Sequence, residues 1–429
     1  MPVLASVMTH PLVAQAGSGS SGFSGGGGGG GGGGFSGGSG GSSGSGGEGG
    51  VWLFVVFLIA MAGLAVFGLT RASVLRRRRR RGHAERDREA RSGAVVAAED
   101  DPDFDAEALV ATGADLVVAV QTAWDARDRE ALGRLIGGDL LDEWVRRLDD
   151  FDEKGWHNRV VLTGDPDIRL ITLVNRLEDA DDRVVLHVEL PMDAWVDSPE
   201  GKKYATGRRG PSTILSEYWT MAKHGDDWRL VSIEGDEEGG HHLTSENILD
   251  PAEDPELAAE SRTEIATDGA PSGSVAGLAS TSFADDAHAA ALDLSLVDDR
   301  WSPDVLQIAV DRAVAAWATA VDGPDDDLER LADPEAARRL LHGPDETGRT
   351  RTVVRGPQVD EVTVVAVTDA GERGQMSVRL RYRARWYRED RATAAVVEGS
   401  KDDERERTDA WTFALTEDRE HPWRLVAVG

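Results

Sequence analysis

One tryptophan pattern occurs twice in this chain, almost two hundred residues apart. It reads EYWTMAKHGDDWRLVSI at residues 217–233 and DAWTFALTEDREHPWRLVAV at residues 409–428. A similar stretch lies upstream of each copy, AVQTAWDARDREALGRL at 119–135 and AVAAWATAVDGPDDDLERL at 313–331. The matched tryptophan pairs, Trp124 with Trp317, Trp219 with Trp411 and Trp228 with Trp423, have offsets of 193, 192 and 195 residues. Three pairs at nearly one offset indicate two copies of one domain.

Each copy begins with helical patterns and ends with strand patterns. In the first copy, apolar residues recur at helical spacing from Leu109 to Trp124, and Asp128 suits the N-cap of a following helix. After Gly155 the apolar period changes to two, which is typical of strands. The second copy repeats this order from a helix beginning near Pro303. We therefore predict an α+β fold, with helices packed on one face of a curved antiparallel sheet.

A hydrophobic segment ahead of the first copy predicts one transmembrane helix. Residues 51–69 read VWLFVVFLIAMAGLAVFGL and carry no charge, and about 20 apolar residues are needed to span a bilayer. Residues 17–50 are almost entirely Gly and Ser, so we expect them to be disordered. Residues 1–16 end in the small-x-small sequence Ala14-Gln15-Ala16 but lack a basic start, which leaves a signal-peptide remnant open.

These patterns divide the chain into six segments. The predicted segments are a disordered tail (1–50), a transmembrane helix (51–70), a basic and then mixed-charge juxtamembrane segment (71–102), a first α+β domain (103–235), an acidic linker (236–290) and a second α+β domain (291–429).

An arginine run fixes the predicted orientation of the span. Six consecutive arginines follow the apolar segment, whereas Glu48 is the charged residue on its other side. The run consists of Arg76, Arg77, Arg78, Arg79, Arg80 and Arg81. Because basic flanks stay in the cytoplasm, we predict a single-pass protein of the cell membrane, with its N-terminal tail outside and both domains cytoplasmic. Attraction of the run to anionic lipid headgroups accompanies this topology.

Composition excludes several classes of function. The net charge of -30 makes nucleic acid an unfavourable partner. Without cysteine, the chain has no disulfide, no thiolate nucleophile and no cysteine-ligated metal. The adjacent His241 and His242 are expected to point apart on a loop with no third ligand at a suitable spacing, so no metal and no cofactor are predicted. A loose surface cation site that uses the acidic neighbours Asp236, Glu237 and Glu238 remains open as an alternative.

A catalytic pocket would require an acid or a base on the inward phase of a central strand. In the predicted strand 183–190, the alternate residues on one face are apolar, and the polar His187 and Glu189 lie on the other face. The strand at 378–386 likewise has one apolar phase. We therefore predict no catalytic residue and a non-enzymatic protein.

Two sets of residues remain as candidates for binding. Trp124, Trp219, Trp317 and Trp411 are expected either to pack in the two cores or to line a cavity between helices and sheet. Arg379, Arg381, Arg383 and Arg385 alternate along one strand and therefore project from one sheet face. This arginine ladder is expected either to pair with acidic side chains of the protein itself or to bind an anionic partner surface.

The chain resembles the Tim-forty-four-like (Tim44-like) domain family, which includes the mitochondrial inner-membrane import-motor anchor and bacterial relatives. The resemblance is carried by the phrase Gln121-Thr-Ala-Trp124, by Asp128 and by the late Trp219 to Trp228-Arg-Leu pattern. It implies two cone-shaped domains similar to nuclear transport factor two. It also implies a membrane-held, non-catalytic scaffold that contacts membrane lipid and an unidentified protein partner. A small-ligand or catalytic pocket of the isomerase or hydrolase type, on the same fold, remains the alternative.

Overall fold

The computed structural model describes most of the chain from residue 79 onward. The described ranges are 79–205, 212–254, 298–323, 325–370, 373–418 and 421–429, with positions 257, 281–283, 287 and 294. The predicted tail, the predicted span at 51–70, Arg76, Arg77 and Arg78 lie outside the described residues, as does most of the predicted linker.

The first copy folds as helices followed by a sheet. Helix α1 covers 79–100. The next helices are α2 (Ala106–Ala126), α3 (Arg129–Leu135) and α4 (Gly138–Lys154). The strands are β1 (His157–Leu162), β2 (Asp167–Val174), β3 (Arg183–Asp197), β4 (Lys203–Ala205), β5 (Ser212–His224) and β6 (Asp227–Gly235).

Local sequence signals set where these helices begin and end. The Asp105 carboxylate accepts a hydrogen bond from the Ala108 N–H, which caps α2. The Asp128 carboxylate accepts one from the Ala131 N–H at 2.9 Å, as its N-cap position predicts. Helix α4 ends at Gly155, whose φ of 65° lies in the left-handed region that favours glycine.

The first sheet is antiparallel and is organised around the long strand β3. Its main order is β1-β3-β5-β6, with β2 and β4 also pairing with β3. Strands β1 and β2 share one edge of β3, because β1 pairs with 192–197 and β2 with 183–189. A turn at Gly225, whose φ of 63° suits glycine, joins β5 and β6, and a Gly-Asp pair between two strands is typical of such a hairpin.

The second copy repeats this arrangement. Its helices are α5 (Pro303–Ala320), α6 (Asp326–Leu331) and α7 (Pro334–His342). Its sheet has the order β11-β10-β9-β8-β7, in which only β7 pairs in parallel. The strands are β7 (Thr281–Phe283), β8 (Thr350–Ala370), β9 (Arg373–Asp390), β10 (Val396–Leu415) and β11 (Trp423–Val428).

Matched contacts confirm that the two copies share one fold. An isolated bridge joins Ile136 to Leu230 in the first copy, and a bridge of the same kind joins Ala332 to Leu425 in the second. The rings of Phe104 and Trp228 meet edge to face at 5.7 Å, and those of Trp301 and Trp423 do so at 5.1 Å. The protein is therefore a duplicated α+β structure built on two curled sheets.

Each copy has its own hydrophobic core between its helices and its sheet. Trp124 and Trp219 lie in the first core, and Trp317 and Trp411 lie in the second, each with at most 2% of its surface exposed. The Trp124 ring meets that of Trp144 edge to face at 5.0 Å. The tryptophan repeat that is visible in the sequence is thus the repeat of two packed interiors.

Helix α1 packs against the first copy, although it belongs to the segment predicted to be a charged juxtamembrane region. Its small residues Ala90, Ala94 and Ala97 are fully buried in the first core. The Asp87 carboxylate accepts a hydrogen bond at 2.9 Å from the Leu170 N–H of β2. Two acidic residues pair with Arg79 at the start of the helix, Glu237 and, at 2.9 Å, Asp236.

The segment predicted as a linker also contributes to the described structure. A 3-10 helix covers Glu238–Leu243 and lies on the first sheet. A backbone bridge then joins Ile248 to Val174 of β2. Farther along, β7 adds a parallel strand to β8. Of the described helices, Ala106–Ala126 is long and apolar enough to span a membrane, but it packs in the first core through Leu116, Val120 and other residues.

Candidate functional site

The interiors of the two copies are filled by their tryptophans. Two cavities of about 270 and 130 Å³ are not lined by Trp124, Trp219, Trp317 or Trp411. Of the two placements expected for these residues, the structure shows core packing. These two cavities lie instead where the two copies meet.

A buried charged network joins the two copies. Arg355 of β8 lies at its centre with 4% of its surface exposed, and its guanidinium donates at 3.1 Å to Glu238 of the first copy. The same guanidinium donates to both carboxylate oxygens of Asp322, which also accepts from Ser232 of β6 at 2.7 Å. The Tyr387 hydroxyl donates to Glu238 at 2.7 Å. Removing Arg355 would leave two buried carboxylates without their guanidinium partner.

A second group of charges lies at the other end of the interface. Glu143 of α4 accepts from Arg351 at 3.2 Å and from the Arg391 Nε at 2.8 Å. Burial opposes ionisation of Glu143, but the two arginines lower its pKa overall. Nearby, Arg147 of α4 lies 3.6 Å from Glu389 of β9, and both are 1% exposed. Helix α4 therefore presents both signs of charge to the second copy.

The contact also has an apolar component. The turn between β9 and β10 places Ala394 in the core of the first copy, with 2% of its surface exposed. Its φ of 53° is unusual for a residue other than glycine. Charge pairs and this inserted turn together fix how the two copies meet.

A cavity of about 270 Å³ opens at this interface and contains a buried acid. Its lining includes Glu217 of β5 and Lys401 of β10. Glu217 is 3% exposed, lies on the inward phase with Trp219 and accepts a hydrogen bond from the Trp219 indole at 3.1 Å. Burial raises the pKa of Glu217 well above its ordinary value. The sequence prediction of no catalytic residue rested on the strands at 183–190 and 378–386 and did not consider this acid on β5.

The outer face of the first sheet carries a row of buried rings under α1 and the 3-10 helix. His83 of α1 stacks on His187 at 3.8 Å, and Tyr218 lies beside both. Burial and the neighbouring His187 lower the pKa of His83 to about 4. The row continues from Tyr218 to His242 and His241, whose rings lie 4.0 Å apart. The sequence predicted that His187 lies on the face of its strand away from the core. It did not indicate that a helix would cover this face.

The structure also brings together a set of possible ligands that the sequence did not predict. His241 and His242 both face Glu234 of β6, at 3.5 Å and 3.1 Å. The expectation that these histidines lack a third ligand is therefore wrong. Glu234 precedes His241 by seven residues. The 3-10 helix brings both histidines back to the Glu234 side chain, which the sequence alone did not indicate.

The arginine ladder lies on one face of β9, as predicted. Arg381 pairs at 3.0 Å with Glu361 of the neighbouring strand β8, and Arg383 pairs at 3.0 Å with Asp360. Arg379 and Arg383 are exposed, whereas Arg385 is partly buried near Gly240 of the first copy. In the predicted arginine run, Arg79 is paired within the fold, and Arg80 and Arg81 are exposed.

Comparisons with known proteins agree with this duplicated fold. The Tim44-like domain family matches residues 91–235 and 307–429. Among solved structures, the chain is similar to the crystal structure of the intermembrane space region of chloroplast protein ARC6. The two chains are 12% identical, with a TM-score of 0.23. The match covers 30% of this chain and 97% of the other. No curated protein matches the chain. With both copies matched over more than half of its length, this chain belongs to the Tim44-like domain family.

Proposed function

We propose that this chain is a membrane-anchored, non-catalytic scaffold that presents two cytoplasmic Tim44-like domains of nuclear transport factor two-like shape to a protein partner. The family is membrane-associated and generally non-catalytic. The observation that carries the proposal is the docking of α1. This helix leads from the predicted span into the first core, where it is held by Ala90, Ala94 and Ala97.

The contacts of α1 explain how such an anchor would hold the domains at a set position. Besides the pairs of Arg79, the Arg86 guanidinium donates at 2.8 Å to the Ser245 carbonyl. The Lys223 ammonium of β5 donates at 2.7 Å to Asp101, directly after the helix. A flexible tether would need none of these contacts. In the proposed protein, α1 is therefore held on the first domain along its described length.

Single cysteines would test the proposed topology, because the natural chain contains no cysteine. Asp226→Cys places a thiol on the exposed turn between β5 and β6, and Ser42→Cys places one in the tail. We expect a membrane-impermeant maleimide to label Ser42→Cys in intact cells and Asp226→Cys only after lysis. Labelling of Asp226→Cys in intact cells, with an intracellular protein unlabelled, would contradict a cytoplasmic location of the domains.

The arginine ladder allows a test of which surface the partner uses. Arg381 is 43% exposed and pairs with Glu361, so Arg381→Ala should change the free energy of unfolding by less than about 1 kcal/mol. We expect this variant to retain the partners that the intact chain captures from detergent-solubilised membranes, because Arg381 is already paired within its own sheet. Loss of a captured partner with unchanged melting would instead identify the ladder as an anionic docking surface.

The alternative function, a small-ligand or catalytic pocket, has Glu217 in its favour. A buried carboxyl with a raised pKa beside a cavity is typical of a general acid. Against it, the cavity of about 270 Å³ is smaller than most ligand pockets and carries further acids, Asp236, Glu237 and Asp402. The scaffold is therefore the function that the described residues support best.

A further inference from the structure

The strongest unassigned feature is the group formed by Glu234, His241 and His242. One potential ligand atom from each residue lies within 4.8 Å of the others. The His242 Nε2 is 3.1 Å from one carboxylate oxygen of Glu234, and the His241 Nδ1 is 3.5 Å from the other. We propose that these three side chains bind a divalent transition-metal ion of the zinc type.

The ligand chemistry matches such an ion. Two imidazoles and one carboxylate are a ligand set that Zn²⁺ uses, with a further position left for water or another group. The rings of His241 and His242 are tilted by 36° from each other, so they must turn about their side-chain torsions to converge on one ion. The contact of His242 already places its Nε2 at the carboxylate. The His241 Nδ1 also lies 3.2 Å from the Glu238 carbonyl oxygen, and it must exchange this contact for the ion.

A second observation, independent of the clustering, indicates that Glu234 can accept a cation. Glu234 is 4% exposed, and its Oε2 atom is fully buried with no hydrogen-bond donor among the described residues. A buried carboxylate oxygen without a donor is costly unless a cation contacts it. Arg355 does not supply this contact, because its guanidinium lies 3.9 Å from the other oxygen, Oε1.

The charge around the site supports the same conclusion. The carboxylates of Glu234, Glu238 and Asp322 all surround the single guanidinium of Arg355. The three carboxylates and the one guanidinium together carry a formal charge of -2 (three negative charges and one positive). A divalent ion bound by Glu234 would balance this excess where it is least solvated. The second histidine pair is a weaker candidate, because the Asp236 beside it already pairs with Arg79.

Metal binding at this site would act on the contact between the two copies. Glu234 ends β6, whereas His241 and His242 lie on the 3-10 helix that also carries Glu238. Gly356 of the second copy lies directly against His241, since a Cβ at this glycine would come within 2.5 Å of the His241 side chain. An ion would therefore hold together the part of the first copy that the second copy contacts.

The test is titration of the purified full-length chain in detergent with Zn²⁺, in competition with a chromogenic zinc chelator. We expect about one tightly bound ion per chain, and we expect Glu234→Gln and His242→Ala each to weaken binding by at least about tenfold. His224→Ala is the matched control, because His224 is exposed at the end of β5, and it should leave affinity unchanged.

A spectroscopic measurement on the natural chain keeps the test independent of whether a variant folds. Co²⁺ bound in a tetrahedral site of two imidazoles and a carboxylate gives intense visible absorption, which Zn²⁺ should abolish by displacement. Absence of Zn²⁺ binding to the natural chain would overturn the proposal. So would equal affinity in Glu234→Gln, or equal loss in His224→Ala. None of these results bears on the topology or on partner capture.

Discussion

Replacing Trp124 by alanine is expected to lower the free energy of unfolding by about 3–5 kcal/mol, the range for deleting a large buried aromatic side chain. Trp124 has no exposed surface and packs edge to face on Trp144. The helices around it are held by the sheet, so the resulting cavity can collapse only in part. Trp317→Ala should have an effect of the same size in the second core, where this ring meets that of Trp411 at 6.2 Å.

Chemical denaturation of the full-length chain, followed by circular dichroism, would measure both changes. Trp195→Ala is the matched control. Trp195 is only partly buried, and the Lys203 ammonium covers its ring at 4.7 Å, so its loss should cost much less. A Trp124→Ala protein that unfolds like the natural chain would rule out the placement of Trp124 in the core.

Replacing Arg355 by methionine is expected to destabilise the protein by a similar amount, about 3–5 kcal/mol. Methionine retains much of the side-chain volume but removes the guanidinium that neutralises Asp322 and Glu238. These two carboxylates are 8% and 2% exposed, so water cannot replace the lost contacts. The cost arises from leaving buried charge without a partner, and it does not equal the net contribution of the intact network.

A combined replacement separates this explanation from a simple packing defect. Arg355→Met together with Asp322→Asn and Glu238→Gln removes the charge of both signs, and it should recover most of the lost stability. The measurement is again denaturant unfolding, with Arg381→Ala as the exposed arginine control. If the triple variant is no more stable than Arg355→Met, uncompensated charge is not the cause.

The elements around the tryptophans could be predicted because their signals are local. The N-cap at Asp128 and the turn at Gly225 each depend on a few neighbouring residues, and the structure has both. The duplication was visible because core positions such as Trp124 and Trp317 keep the same residue type in both copies. Burial of these rings follows from the same periodicity.

The interface could not be predicted, because its partners are distant in the chain. Arg355 and Glu238 are 117 residues apart, and Arg391 and Glu143 are 248 apart. No local pattern links such residues, and in the sequence each resembles an ordinary surface charge. Which of the 77 acidic residues would meet Arg355 depends on how two complete domains dock.

The sequence of helix α1 did contain a pattern of small residues that indicates a packed face, but the many charged residues around it obscured this pattern. Ala90, Gly93, Ala94 and Ala97 recur at helical spacing and form a narrow stripe of small residues. A side chain at Gly93 would come within 2.8 Å of Leu249, which shows how closely this stripe is packed. The surrounding arginines and glutamates make the segment resemble a solvated linker, although one face of it is core.

The docking of α4 on the second copy determines how far this architecture can extend. The contact is heterologous, since the two copies use different surfaces, and such a contact can in principle repeat into an open filament. Helices α4 and α7 begin at Gly138 and Pro334, so Glu143 corresponds to Arg339. A further copy would bring its equivalents of Arg351 and Arg391 against an arginine. Like charge at this position therefore disfavours a repeat of the same contact between the second copy and another copy of the domain.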